Sequence, residues 1–572
     1  MTSTGTASSL PYHEPGIVTI LIQSSFLLTL NAINFILDRA IYCGLLGQVF
    51  LGVAWGTPGA KWLNTEAEQV IVQLGYIGLL LIVYEGGLST SLKTLKANLF
   101  LSVGVALTGI ALPIGLSFIL APLMGASQLQ CFAAGAALCA TSLGTTFTVL
   151  GTSGLIKSRL GVVLTSAAMM DDVVGLVMVQ VISNLGKSNS AFSAITVVRP
   201  VCASFAFATA APLVCMFVVK PLTIGLNGWR AKYPRGLANR TFKTRETALA
   251  AHAAVFLGCV TGASYAGTST LFAAYIAGAA ISWWDAEVPH YRQPVVAAES
   301  QDSSQGSEQR NDVRDNGATS FTGTEVFEHY LLAPLNRILR PFFFASIGFS
   351  IPITEMFTGE IVWKGVLYTV LMIFGKICCG AWLVRISFDS IVPVRAKDII
   401  AKFPKPTVDH FWGRNSERQT KATQTSAQAL QDSAVVPVSN SGATNTQSSS
   451  SQDAISTGGD DTGVRESHSV PAGVNPRSVY PAAILGCAMT ARGEIGFLIS
   501  SLAESNGIFA SDSDKGTSSD AFLVVTWAIV LCTILGPIAV GLVVGRARKL
   551  QRGVEKEGRV VKGDVLGVWG VS

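Results

Sequence analysis

Charge is what this sequence has least of. Asp, Glu, Lys and Arg make up 13% of its 572 residues, about half the share of an ordinary soluble domain, while 49% are hydrophobic and the mean hydropathy is +0.46. That balance excludes a soluble globule and marks a polytopic membrane protein. The net charge of +5 is modest and gives nucleic-acid binding no support. The ten cysteines lie mostly inside apolar runs, with neither metal-ligand spacing nor a disulfide framework. They read as small core residues, and no cofactor is expected. The opening MTSTGTASSLPYHEPG has no positive stretch and leads into an apolar run that lacks a clear cleavage site, so a secretory leader is not expected and that run should be retained.

Apolar stretches of spanning length fall at roughly 17–37, 40–55, 67–88, 97–123, 128–150, 160–186, 194–225, 247–265, 268–284, 326–351, 357–386, 478–504 and 519–545. The second is short, and the tenth carries Arg337 and Arg340 before Pro341-Phe-Phe-Phe-Ala-Ser-Ile-Gly348. Loop charge alternates as thirteen spans require: basic residues follow span 3 (Lys93, Lys96), span 5 (Lys157, Arg159), span 7 (Arg230 to Arg245), span 11 (Arg385, Arg395, Lys397) and span 13 (Arg546 to Arg552). The expected order is an extracytosolic tail (1–16), a first transmembrane half (17–284), an insertion (285–325), spans ten and eleven (326–395), a second insertion (396–477), spans twelve and thirteen (478–545) and a cytosolic tail (546–572). The insertions, the second rich in Ser, Thr and Gln, should be disordered and cytosolic, either solvated linkers or regulatory segments open to phosphorylation or partners.

The stretch around which the chain is organised is Ser166-Ala-Ala-Met-Met-Asp171-Asp172-Val-Val-Gly-Leu-Val-Met-Val-Gln180. Two aspartates sit near the middle of span 6, where each charge costs about 2.5–3.5 kcal/mol on insertion scales. Carboxylates at that depth handle a cation or a proton. Span 5 carries hydroxyls and glycines in Ala140-Thr141-Ser142-Leu-Gly144-Thr145-Thr146-Phe-Thr148. It is either a helix break whose carbonyls and hydroxyls replace an ion's hydration shell, or a tightly packed small-residue interface; the neighbouring aspartates favour the break. Span 12 echoes it weakly in Cys487-Ala-Met-Thr490-Ala-Arg492-Gly493-Glu494-Ile-Gly496, as an inverted repeat would. Arg492 and Glu494 either neutralise each other or the ends of broken half-helices, or serve ion access. Lys376 of span 11 lies only about 5 Å from the centre by helical rise. It either snorkels or, the better reading, pairs with a buried carboxylate, Asp171 first. Glu85 is an interface residue sooner than a ligand, and His252 a satisfied core histidine sooner than a pH sensor.

These residues resemble the monovalent cation:proton antiporter superfamily, in its branch with paired aspartates. The resemblance runs from about Glu68 to Gly541 outside the insertions and rests on ATSLGTT (140–146), MMDDVVG (169–175), LFAAYIAGAAIS (271–282), PFFFASIGF (341–349), the Gly375-Lys376 pair and ARGEIGFLIS (491–500). It implies an all-α fold of thirteen helices with inverted repeats, a core domain in which two broken helices cross, and a dimerisation domain. It further implies that Asp172 binds the transported cation and protons, that Asp171 forms a salt bridge with Lys376 that breaks as the ion enters, and that Thr141 and Ser142 sit at the first break. The long insertions and the basic loop between spans 7 and 8 depart from the pattern.

The expected function is exchange of a monovalent cation, Na⁺ first, for protons by alternating access, in a homodimer of a plasma or internal membrane with its N-terminus outside. Na⁺ as cargo needs oxygen ligands, which Asp172 and Thr141 supply. K⁺/H⁺ exchange or K⁺ efflux is the alternative, and a multispan sensor the rival from another class. An intramembrane enzyme is not expected, since adjacent aspartates point about 100° apart on one helix. The orientation also predicts that the sequon Asn239-Arg-Thr241, in the most basic loop, stays unglycosylated. A glycosidase-sensitive gel shift that vanishes with Asn239→Gln would reverse the topology.

Overall fold

The computed structural model of the chain describes residues 14–41, 43–90, 98–142, 155, 158–187, 194–233, 244–288, 322–384, 479–510, 519–556, 566 and 569; helices dominate, and no strand occurs among these residues. Thr145, Thr146 and Thr148 of the fifth apolar stretch, Asn239, Lys93, Lys96, Lys157, and the interiors of both insertions lie outside the described residues.

The helices are α1 (Ile17–Ile41), α2 (Gly44–Trp55), α3 (Thr65–Leu88), α4 (Leu99–Ser117), α5 (Gln128–Cys139), α6 (Arg159–Lys187), α7 (Ala194–Val214), α8 (Lys220–Lys232), α9 (Arg245–Ala266), α10 (Thr270–Glu287), α11 (Gly323–Tyr330), α12 (Arg340–Phe349), α13 (Gly359–Ile377), α14 (Tyr480–Ala488), α15 (Glu494–Ser505) and α16 (Asp520–Lys556). Several starts are written locally. The Asn64 side chain accepts the Ala67 amide at 3.0 Å to begin α3, and Ser127 with Gln130 and Thr322 with Glu325 form reciprocal caps on α5 and α11.

Among the described residues, eight helices are long and apolar enough to cross a membrane. Of the remaining apolar stretches, 268–284 forms the unbroken 18-residue α10, and the other four are short or interrupted. α2 has 12 residues; α5 stops at Cys139; α14 and α15 flank a break; and a π turn at Leu335–Leu339 precedes α12. The Arg337 carbonyl, four residues before Pro341, which has no N–H to donate, accepts Nδ2 of Asn31 at 2.9 Å. Large apolar side chains such as Phe35, Phe205, Phe217 and Leu542 face outward, as a multi-pass chain in lipid requires.

Two groups of helices emerge from the packing. α3 lies against α10 and α12, α12 against α2, α1 on α2 and α9 on α10. Separately, α13 lies against α16 and α4, α4 against α5 and α6, α14 on α16, and α15 on α5 and α6. α7 leans on α6, and α6 also meets α10. Within the first group two seams bring backbones together through paired glycines: a Cβ on Gly87 would collide with the Tyr275 carbonyl and one on Gly278 with that of Tyr84, while Gly52 and Gly348 stand in the same relation to Ala345 and Val49. Without a hydrophobic drive between helices in lipid, such close approach is what packing there depends on.

Gly278→Val should therefore part α3 from α10 and cost about 1–3 kcal/mol of stability. Thermal unfolding in detergent reads this directly; an unchanged midpoint would contradict the seam.

Candidate functional site

The site begins where α5 stops. Its C-cap, Ala140, is extended (φ −68, ψ 147), and the chain continues unwound through Thr141 and Ser142, both buried. The second break runs from Met489 to Gly493 between α14 and α15, with Gly493 also extended. The two breaks cross and bond to each other: the Ser142 amide donates to the Ala491 carbonyl at 2.9 Å, Oγ1 of Thr141 to the Met489 carbonyl at 3.3 Å, and Nη1 of Arg492 to the Ala140 carbonyl at 2.9 Å. α16 closes the crossing from behind, Oγ1 of Thr533 donating to the Arg492 carbonyl at 3.0 Å. The crossing is tight enough that a Cβ on Gly493 would lie 2.8 Å from Cβ of Ser142.

Lys376, the penultimate residue of α13, is fully buried and spends all three of its donors here. Nζ donates to the Cys139 carbonyl at 2.6 Å, to Oγ1 of Thr141 at 3.0 Å and to Oδ2 of Asp171 at 2.8 Å. Thr141 in turn donates to the same Oδ2 at 2.9 Å. Asp171 is also fully buried, and its other oxygen, Oδ1, has no hydrogen-bond partner among the described residues. The carbonyls of Cys139 and Ala140 are orphaned by the end of α5 and carry its negative partial charge; Lys376 takes one and Arg492 the other. Gly109 of α4 admits this packing, since a Cβ there would lie 3.1 Å from Nζ of Lys376 and 3.3 Å from Oδ2 of Asp171.

Asp172 is placed differently. About 100° further round α6, it is half-buried and makes no hydrogen bond or ion pair among the described residues. The charges that bear on it are Glu494, Asp171 and Lys376, and its own charge is felt by Tyr275 of α10. Tyr275 belongs to the wall of a cavity of about 1000 Å³ between α4, α6, α7 and α10, which also touches Met169, Met170, Val173 and Val174 on either side of the aspartates. One carboxylate is thus tied inside the helix crossing, and its neighbour, without such a bond among the described residues, sits on a helix whose flanking side chains line the cavity.

Of the other residues singled out above, Glu494 opens α15, half-buried and without an ion pair among the described residues. Among the described residues Arg492 does not bond to it: Nη1 donates to the half-helix end, and Nε and Nη2 find no partner there. The expected neutral ligand Thr141 is committed to Lys376, Asp171 and Met489. Glu85 pairs with Arg340 at 2.9 Å, each side chain about one-third exposed (35%), and is an electrostatic neighbour of Glu494. His252 is buried, with its ring edge-on to Trp284 at 6.4 Å. Sequence reasoning missed Arg340 as partner of Glu85 and the close approach at Gly109. The signal for the first was an arginine inside an apolar stretch; a glycine among the many of span 4 offered none. Among the described residues no cluster of three His, Cys, Asp or Glu side chains forms a metal cage.

Residues 25–403 match the family described as sodium/hydrogen exchanger, transmembrane. The Na⁺/H⁺-K⁺ antiporter GerN of Bacillus cereus is 31% identical over 134 residues, covering 23% of this chain and 34% of that protein. The high-affinity Na⁺/H⁺ antiporter NhaS3 of Synechocystis is 31% identical over 146 residues, covering 25% of this chain and 32% of that one. The chain thus spans about a third of the length of these curated relatives. Among solved structures, the sodium proton antiporter MjNhaP1 from Methanocaldococcus jannaschii superimposes with a TM-score of 0.49 at 11% identity, over 93% of this chain and 99% of that one.

Removing one partner of a buried ion pair leaves the other uncompensated, at about 3–5 kcal/mol. Lys376→Met is expected to lose that much stability in detergent melts, and adding Asp171→Asn to recover most of it. Strictly additive losses would show that the two charges are energetically independent.

Proposed function

We propose that this chain, which belongs to the sodium/hydrogen exchanger transmembrane family, exchanges a monovalent cation, Na⁺ first, for protons across a membrane. The observation that carries the proposal is the division of labour between adjacent carboxylates. Asp171 is held by Lys376 and Thr141, whereas Asp172 makes no such bond among the described residues and lies on the stretch of α6 whose Met169, Met170, Val173 and Val174 line the cavity.

The chemistry follows from competition. A carboxylate away from water favours its protonated form, and a cation arriving beside it favours the ionised one. Asp172 therefore holds either protons or Na⁺, and not both. Neutral oxygens complete the ion's shell: Ser142, Thr141 once Lys376 moves off, and the Cys139 carbonyl that Lys376 releases with it. Entry of the cation breaks the Lys376–Asp171 bridge and frees Oδ2 of Asp171. The group of helices carrying the crossing then rocks against the group built on α3, α10 and α12, with the cavity as the opening between them, and the load is released on the other side.

In the same reading the chain has thirteen spans, its N-terminus outside and its C-terminus in the cytosol. It belongs to the paired-aspartate branch, with α4–α6 and α13–α16 as the core domain and α1–α3 with α9–α12 as the dimerisation domain of a homodimer in a plasma or internal membrane. Glu494 and Glu85 line the cation's approach, and Arg492 neutralises the half-helix end. K⁺ is the second reading for the cargo, favoured by the name of GerN, which couples K⁺ as well.

In proteoliposomes loaded with a pH-sensitive dye, Na⁺, Li⁺ or K⁺ should drive proton flux, and Asp172→Asn should abolish it without loss of folded protein. Normal exchange by that variant would sink the mechanism; silence of the parent with all three cations would favour the sensor.

A further inference from the structure

Beyond α16 the chain returns to the bundle. Leu566 and Trp569 form a turn, with the Trp569 amide donating to the Leu566 carbonyl at 3.2 Å, and they are 6% and 4% exposed. They share one apolar cluster with Val105 of α4, Leu160 and Val163 of α6, and Val544 of α16. The guanidinium of Arg159, the first residue of α6, lies 4.9 Å over the Trp569 ring. A cation on an aromatic face adds to burial of the ring itself. We propose that Leu566 and Trp569 act as a clasp that fixes the start of the aspartate helix α6 against α4 and α16, making Trp569 and Arg159 positioning residues for the cation site.

The cluster is continuous from the clasp to the site. It includes Cys379, beside Gly109 and one turn beyond Lys376, and Met489, whose carbonyl accepts Thr141. From Arg159, Asp171 is twelve residues along one helix, roughly 18 Å. The cluster contains no residue of α1–α3 or α9–α12. The clasp therefore does not bridge the two groups of helices and is no brake on their relative motion. It holds together the helices that carry Asp171, Asp172, Lys376 and the second break, and its effect falls on how well the cation is held more than on how fast the groups exchange positions. Coupling of this kind is reciprocal: cation binding strengthens docking of the tail by the factor by which docking strengthens cation binding.

The inference rests on the exchange reading, and one experiment separates the two. The full chain and its W569A variant are compared in proteoliposomes across Na⁺ concentrations, with K⁺ if Na⁺ drives no flux. W569A should raise the apparent KM for the cation by about 5-fold or more, with a smaller change in maximal rate per folded protein; Trp569→Phe should restore most of it. An excess of a peptide spanning residues 557–572 should return the KM of W569A toward that of the parent, and the same peptide carrying Trp569→Ala should not. Arg159→Gln removes the cation without emptying the pocket and should raise the KM in the same way even if W569A fails to fold. A parent that exchanges cations, with variants whose KM matches it or whose maximal rate alone falls, overturns the clasp and leaves the exchange reading standing. A parent that exchanges nothing overturns both.

Discussion

The structure depends on one buried ammonium. Lys376 holds the end of α5 through the Cys139 carbonyl, the unwound segment through Thr141 and the helix α6 through Asp171. The end of α5 with its unwound continuation, helix α6 and the distant helix α13 meet on one nitrogen, away from water. A lone charge there is expensive, so the elements that compensate it are held in register by the size of that cost. The break in α5 is part of the same arrangement, because an unbroken helix would leave no free carbonyl at Cys139 to accept the bond.

A second cation repeats the logic. Arg492 on the other break caps the Ala140 carbonyl, so adjacent carbonyls at one half-helix end are claimed by two charges from different helices. The backbone bond from Ser142 to Ala491 then stitches the breaks directly. The crossing is thus a small polar core within an apolar bundle, most of its hydrogen-bonding groups used. Among the described residues, the side-chain atoms of the crossing that lack a partner are Oδ1 of Asp171 and two guanidinium nitrogens of Arg492. Buried polar atoms without partners are costly, and in the proposed cycle the carboxylate oxygen lies where a cation arrives.

Much of this was legible in the sequence, because charge inside an apolar run has few explanations. Asp171, Asp172, Lys376 and the Gly/Thr-rich stretches announced themselves by their cost. What pairs with what was less legible, since partner choice is decided by helix rotation and crossing angle. Arg492 and Glu494, two residues apart, looked able to neutralise each other, yet residues at that spacing do not share a helix face, and the break turns Arg492 towards Ala140. Thr141 read as a free ligand because a sequence does not reveal that its hydroxyl is already engaged by Lys376 and Asp171. Glycine seams such as Gly87 with Gly278 were equally hidden: many apolar helices carry glycines, and only the fold tells which of them face each other.

The lone guanidinium at the crossing has an electrical consequence. Arginine does not give up its proton in a protein, so the charge that Arg492 brings to the crossing is permanent. If the helices bearing Arg492 shift along the membrane normal during transport, a fixed charge moves through part of the membrane field, worth about 2.3 kcal/mol per elementary charge for a full crossing at 100 mV. In the proposed cycle the membrane potential would then bias which way the cation site faces, independently of how many ions and protons are exchanged in each turn.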